Sequence, residues 1–465
     1  MSNIPKDDRL LQELSDLLMS FRPAFRQQRV FQRAVLLLVG EVLAFARHTV
    51  TQLLMALGQT DRDWTAWYRL FQSDRFPYDK VSEILLEEIL RHVPEGEVLV
   101  VAGDGTQTPR SSPKVEGTGW LPHPRTAVFA KGLAWAQRWF HLAWLTPPEG
   151  GYSRAIPLRW IPAFTPGSER KVTPSLSETE AARVSLQWLK ENLKKLGRAS
   201  QSVLMVGDGR YDNTNLWRGL PEGVILMART ARNRKLYFLP TSEMRKNRRY
   251  GKPAPTPAEV WREREGWKKI TIGVRGRERH LQIKVIGPVV RRGVPDQPLF
   301  LIVVRGKYNR RVRREPLAFL VNAVRNEEGE WVLPLPIEIL LFWAWQRWEI
   351  EVTHRELKSA FGLGEKQCWN PKAAVRSVQW SSWVYAVLVL AGYRAWKLQE
   401  GPSVPTRWWK GSQRWSLNTL WRSYRAAWWG GHIFQKVSLD SVLTKGDLRW
   451  LSPPMGNPVF GSTRI

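Results

Sequence analysis

The sequence predicts a mixed α/β protein, with short apolar strands and amphipathic helices forming a core. A helical domain precedes this core, a β-rich insertion interrupts it, and a helical, basic region follows it. Three observations carry the prediction. Residues 1–95 repeat leucines at three- and four-residue spacing, as in Leu10, Leu11, Leu14, Leu17 and Leu18. From residue 97 the apolar runs shorten to strand length and end at glycines, and a long amphipathic stretch beginning at Glu178 divides these runs into two groups.

Within 1–95 a second helical stretch covers 81–90. Between the two lie 47–54, the turn Gly58-Gln59-Thr60-Asp61 and 64–71, a helix–turn–helix layout that suits either DNA contact or scaffolding. Strands are predicted at 98–102, 140–145 and 155–161, followed by a helix over 178–196 with Ser177 as N-cap and Glu180 completing a capping box. A buried strand at 202–206, a short helix and a strand at 224–227 come next. Three strands, helix, strand, helix, strand is the order of a ribonuclease H-like fold. Residues 229–330 interrupt it: 229–252 holds nine basic residues against Glu243, and strands are predicted at 268–274, 280–286 and 299–304. Two helices, 337–361 and 373–398, precede a linker at 401–405 and a Trp-rich tail. The expected domains are therefore 1–95, 96–228 together with 331–400, 229–330 and 401–465.

The 465 residues suffice for two or three domains. Seventy-one Lys and Arg against 42 Asp and Glu leave +29, while the hydrophobic share of 43% is that of a folded body rather than a disordered basic tail. Such a surface calls for a polyanionic partner. The single cysteine, Cys368, excludes a disulfide framework and a cysteine-based zinc site. Charges run through the first 22 residues and no apolar run approaches the roughly 20 residues of a membrane span, so a soluble intracellular protein is expected. Trp is abundant, with 26 residues; most are assigned to packing, and those beside Arg or Lys, as in Arg407-Trp408-Trp409-Lys410, also suit DNA contact.

Two segments nearly repeat: Val100-Val101-Ala102-Gly103-Asp104-Gly105 and Met205-Val206-Gly207-Asp208-Gly209. In each, a buried strand runs into an Asp between glycines, which would admit a ligand or metal close to the carboxylate. One such Asp alone would read as a turn former; two in neighbouring strands read as a pair that bridges hard divalent ions and needs a further carboxylate from another element. That carboxylate is Glu351. At about 100° per residue it falls close to Arg347, with His354 and Lys358 on the same face. Glu349 and Glu356 project oppositely, as solvated charges would. Trp343, Ile350 and Leu357, seven apart, form a core stripe.

These residues resemble the DDE insertion-sequence transposases, in the branch whose glutamate helix carries a Tyr-Arg-Glu-Lys signature. Arg347, Glu351 and Lys358 match in type and spacing, and Ala344 stands at the Tyr position. The first two acids of the resemblance are Asp104 and Asp208, and the β-rich insertion lies where the family places one. The resemblance implies that Asp104, Asp208 and Glu351 bind two Mg²⁺ or Mn²⁺ ions for cleavage of DNA at the ends of a mobile element and for joining to target DNA. It also implies an excision route that can pass through a hairpin, and a homodimer on double-stranded DNA in a bacterial, nucleoid-associated setting. Arg347 and Lys358 would hold phosphates, with His354 and Arg210 as further contacts, Tyr211 beside Arg210, and Trp331 the candidate to stack on a flipped base. Asp212 reads as a helix cap. A ribonuclease H-like nuclease without strand transfer and a domesticated DNA-binding descendant are the alternatives.

Overall fold

The computed structural model describes residues 8–122, 132–164, 176–241, 248–305, 317–402 and 414–429. Five helices come first: α1 (Asp8–Ser20), α2 (Gln28–Leu43), α3 (Val50–Ala56), α4 (Thr65–Gln72) and α5 (Tyr78–Leu90). Then follow β1 (Leu99–Pro109), β2 (Thr118–Pro122), β3 (Leu133–Leu145), β4 (Ala155–Pro162), α6 (Glu178–Lys195), β5 (Val203–Gly207), α7 (Thr214–Arg218) and β6 (Val224–Arg229). The core strands lie in the order β4-β3-β1-β5-β6, with β1, β5 and β6 parallel and β3 antiparallel to both β1 and β4. This is a mixed α/β arrangement consistent with a ribonuclease H-like core.

The insertion supplies β7 (Leu236–Phe238), β8 (Pro253–Ala254), α8 (Pro257–Arg262), β9 (Lys268–Val274), β10 (Arg277–Arg291), β11 (Val294–Arg305), β12 (Leu317–Asn322), β13 (Val324–Arg325) and β14 (Trp331–Val332). Rather than forming a sheet of its own, it continues the core sheet: β12 pairs antiparallel with β6, β11 with β12 and β10 with β11. Asn322 reinforces the joint by accepting from the Leu226 amide at 2.7 Å and donating to the Val224 carbonyl at 3.2 Å. The chain ends its described part with α9 (Ile337–Gln346), α10 (Trp348–Ser359), α11 (Pro371–Trp396) and α12 (Leu417–Trp429).

Alternation along β1 explains why its sequence is apolar without a break. Leu99 and Val101 face one buried cluster, shared with α1 to α6 and α11; Val100 and Ala102 face a second, shared with α9 and the insertion strands. A sheet covered on both faces demands such runs. The stripe expected on the glutamate helix is buried, with Ile350 in the second cluster and Leu357 in the first. Ser177 and Glu180 form the expected capping box on α6. Trp139, Trp144, Trp160, Trp217, Trp380 and Trp428 are fully buried, which agrees with packing as the main use of the tryptophans.

Besides adding strands the sequence did not suggest, such as β2 and β12, the structure departs from expectation on the glutamate helix and at Asp212. The predicted helix 337–361 is two helices, because Arg347 makes a single turn between α9 and α10; its backbone stays helical (φ −48°, ψ −32°), so side-chain spacing across the break survives. Glu349 and Glu356 are not solvated: Glu349 meets Arg275 at 3.1 Å and Arg414 at 2.8 Å, and Glu356 meets the buried Arg154 at 3.0 Å. Their helix is buried on more than one side, so the face opposite Glu351 is also interior. Asp212 does not cap a helix; Asn213 caps α7, while Asp212 is buried and binds Trp217, Thr230, Arg234 and Arg291. The Arg407-Trp408-Trp409-Lys410 motif and most of the tail lie outside the described residues, as does the middle of the basic 229–252 stretch.

Candidate active site

Parallel pairing of β1 and β5 ends at Gly103 opposite Gly207, so Asp104 and Asp208 follow as adjacent residues on neighbouring strands. Asp104 is not at a strand terminus, however. On its other side β1 continues to Pro109, and Asp104 pairs with His141 of β3. Asp104 Oδ1 accepts from the Gly105 amide and Asp208 Oδ1 from the Arg210 amide, each at 2.9 Å. The flanking glycines do not leave open space for a ligand, as the sequence suggested. A Cβ on Gly103 would lie 2.2 Å from the Met205 side chain, on Gly207 2.7 Å from the Tyr211 ring and on Gly105 2.4 Å from the Glu178 carboxylate. Protein atoms use that space, and Gly209 alone of this set is open, with its nearest neighbour 3.7 Å away.

The third acid arrives on α10. Arg347 Nη2 donates to Glu351 Oε1 at 2.6 Å, the i,i+4 geometry expected from the sequence. One turn on, His354 is buried, with Nδ1 3.8 Å from Asp104 Oδ2 and Nε2 2.9 Å from His141 Nδ1. The bond to His141 fastens the glutamate helix to β3, beside Asp104. Burial, then the nearby Lys358 and Arg347 charges, push His354 down to about 3, and burial drives His141 well below its usual value. Both imidazoles are therefore neutral near pH 7, and His354 is a packing and hydrogen-bonding group here rather than a cation.

Asp104 shows the opposite shift. Burial first, then the Asp208 charge, push it up to about 7; Arg347 opposes this, and Glu351 and Glu178 add to it. Carboxylates crowded without sufficient positive charge are a hard-oxygen donor set suited to Mg²⁺ or Mn²⁺. Among the described residues no three His, Cys, Asp or Glu side chains converge tightly enough to hold an ion as they stand. Arg347 engages Oε1 of Glu351.

The remaining predicted contacts are spread out. Arg210 is half-exposed and pairs with Glu178. Tyr211 is fully buried and donates to Glu178 at 3.0 Å, so it lies beneath the site rather than facing substrate. Lys358 is half-buried on α10. Trp331 on β14 is half-buried beneath Arg325, whose guanidinium lies 4.5 Å from its ring centre, and it packs against the second apolar cluster. Two participants escaped the sequence reading: His141, a lone histidine inside the apolar run of β3, and Glu178, read only as the first residue of an amphipathic helix.

Away from the acids, α2 and α4 frame a cleft of about 530 Å³ lined by Arg29, Arg33, Arg62, Asp63 and Trp67, among others. Arg33 is held below its usual value by burial and by Arg29 and Arg75. No helix among the described residues is long and apolar enough to cross a membrane. A family model described as DDE superfamily endonuclease matches residues 20–284, a span that includes Asp104 and Asp208 and stops before Glu351. No curated protein matches the chain.

Proposed function

The chain belongs to the DDE superfamily endonucleases, and from that membership we propose that it is a DNA transposase that cleaves the ends of its mobile element and joins them to target DNA. One observation supports the assignment of its site: Asp104 and Asp208 directly follow a register-matched glycine pair on parallel strands, and the His354–His141 hydrogen bond ties the helix bearing Glu351 to β3, whose His141 pairs with Asp104.

Asp104, Asp208 and Glu351 would hold two Mg²⁺ or Mn²⁺ ions, which when bound supply activation of the attacking oxygen and neutralisation of charge on the leaving one. The chain's own side chains do the positioning. Arg347 is suited to grip a phosphate with its planar fork and Lys358 to add a point charge, so that Arg347→Lys loses more than charge counting suggests. The neutral His354–His141 pair ties α10 to β3, the strand that pairs with β1 at Asp104. Arg210 stands beside Asp208, and Trp331 is kept as the candidate for base stacking in a hairpin route.

Three of the expected regions share the remaining labour: the basic stretch 229–252 of the insertion and the tail at 401–465 as grips on duplex DNA, and 1–95 as a helical scaffold that can add a further contact. The arginine-lined cleft between α2 and α4 supports that further contact. Pairing of two element ends calls for a homodimer on DNA.

The test is incubation of the full chain with a labelled element end, Mg²⁺ and a target plasmid. Joined products that vanish in Asp208→Asn support transposition. Cleavage without joining reduces the activity to that of a nuclease, and binding with no cleavage under Mg²⁺ or Mn²⁺ refutes an enzyme.

A further inference from the structure

Glu178 is the first residue of α6 and is 6% exposed, at a place where an acid is costly unless something requires it. Its carboxylate lies against the backbone of β1 at Gly105, the residue after Asp104. It accepts from Tyr211 Oη at 3.0 Å and from Arg210 Nη1. The Arg210 main chain is pinned separately, its amide donating to Asp208 Oδ1 at 2.9 Å. Side-chain exposure is 54% for Arg210 and 5% for Glu178, so one edge of the guanidinium is anchored inside while donors remain on the outer side. A filler role would be met by a neutral side chain, since a Gln also accepts from the tyrosine hydroxyl. The negative charge instead adds to repulsion on Asp104. What it gains is a fixed arginine.

We propose that Glu178 is a positioning residue of the DNA-cleaving site, holding Arg210 so that the outer edge of its guanidinium meets a DNA phosphate beside Asp208. This rests on the reading of the site as one that receives DNA. Glu178 acts through Arg210, with Tyr211 as the buried second anchor of its carboxylate. The arrangement makes a preorganised phosphate contact from a side chain that would otherwise sample many rotamers in water.

The test is the salt dependence of binding to a labelled linear duplex by the full chain in EDTA, for the parent, Arg210→Ala, Glu178→Gln and the double variant. The expected result is that each single variant flattens the plot of log affinity against log salt by about 0.9, the share of one phosphate contact. The double variant then flattens it no further. A parental slope in either single variant, or additive losses in the double, overturns the proposal; a purely structural loss would shift thermal stability and leave the slope alone. Should Glu178→Gln not fold, Glu178→Asp, which keeps the charge and shortens the arm, replaces it with the same expected and overturning results. Because EDTA prevents cutting, this outcome is separable from that of the cleavage assay.

Discussion

At the residue scale, the placement of Asp104 beside Asp208 and of Glu351 beside Arg347 was legible, because each lies in a sequence context that folding enforces. Two apolar runs that each end at Gly-Asp-Gly point to one another once they become neighbouring strands, and Arg347, Glu351 and Lys358 share a helix face at any plausible helix boundary. Glu178 and His141 were not legible, since their roles depend on which strands become neighbours. Asp208→Asn and Glu351→Gln should each lower metal-dependent cleavage by about a hundredfold or more, with urea midpoints near the parent's, because neither side chain anchors the core. Gly105→Ala makes a different demand. Its Cβ would overlap the Glu178 carboxylate, so a stability loss of about 1–3 kcal/mol is expected in urea melts together with a fall in cleavage.

At the element scale, the helical spacing around Glu351 was read correctly, while the break at Arg347 and the surroundings of α10 were not. Helical angles separate Glu351 from Glu356, but they say nothing about what packs on the far side, and there Arg154 of the β3–β4 connection and Tyr385 of α11 bind Glu356. Glu356→Ala strands a buried guanidinium and should cost about 3–5 kcal/mol by urea denaturation, with Glu356→Gln costing less. The seam between core and insertion was likewise hidden, because strand order across 229–330 depends on pairing rather than on local pattern. Asn322→Ala removes both side-chain bonds to β6 and should cost about 1–3 kcal/mol. Faster amide exchange in β6 and β12 than in β1 would locate the loss at that joint.

At the scale of the whole molecule, the helices of 1–95 are bound to later ones. α1 and α5 pack on α11, and buried Glu41 of α2 meets His48 and Lys366. Close to this helical layer, His92 stacks on Trp144 and against Tyr393, and burial, then Arg394, Lys397 and Arg91, push it down to about 4. Between pH 6.5 and 4 the unfolded chain takes up a proton that the folded chain refuses. The stabilising contribution is therefore present above pH 6.5 and lost as pH falls through 4, to the extent of about 1–3 kcal/mol. His92→Phe should flatten that part of a melting-temperature profile. The +29 net charge bears on the same scale: duplex affinity should fall steeply with salt, and a salt-independent affinity would contradict DNA as the partner.

The packing of α1 on α11 also sets a schedule for synthesis. At roughly 5–20 residues per second, about 20–70 s pass between completion of α1 and emergence of its partner, and α10 with Glu351 appears only near the end of that interval. A nascent or truncated chain ending before α10 lacks Glu351, and one ending before α11 leaves the leucine face of α1 uncovered. Ribosome-bound fragments should therefore recruit chaperones at α1 and, on the proposed role of Glu351, leave DNA uncut until nearly the whole protein has been made.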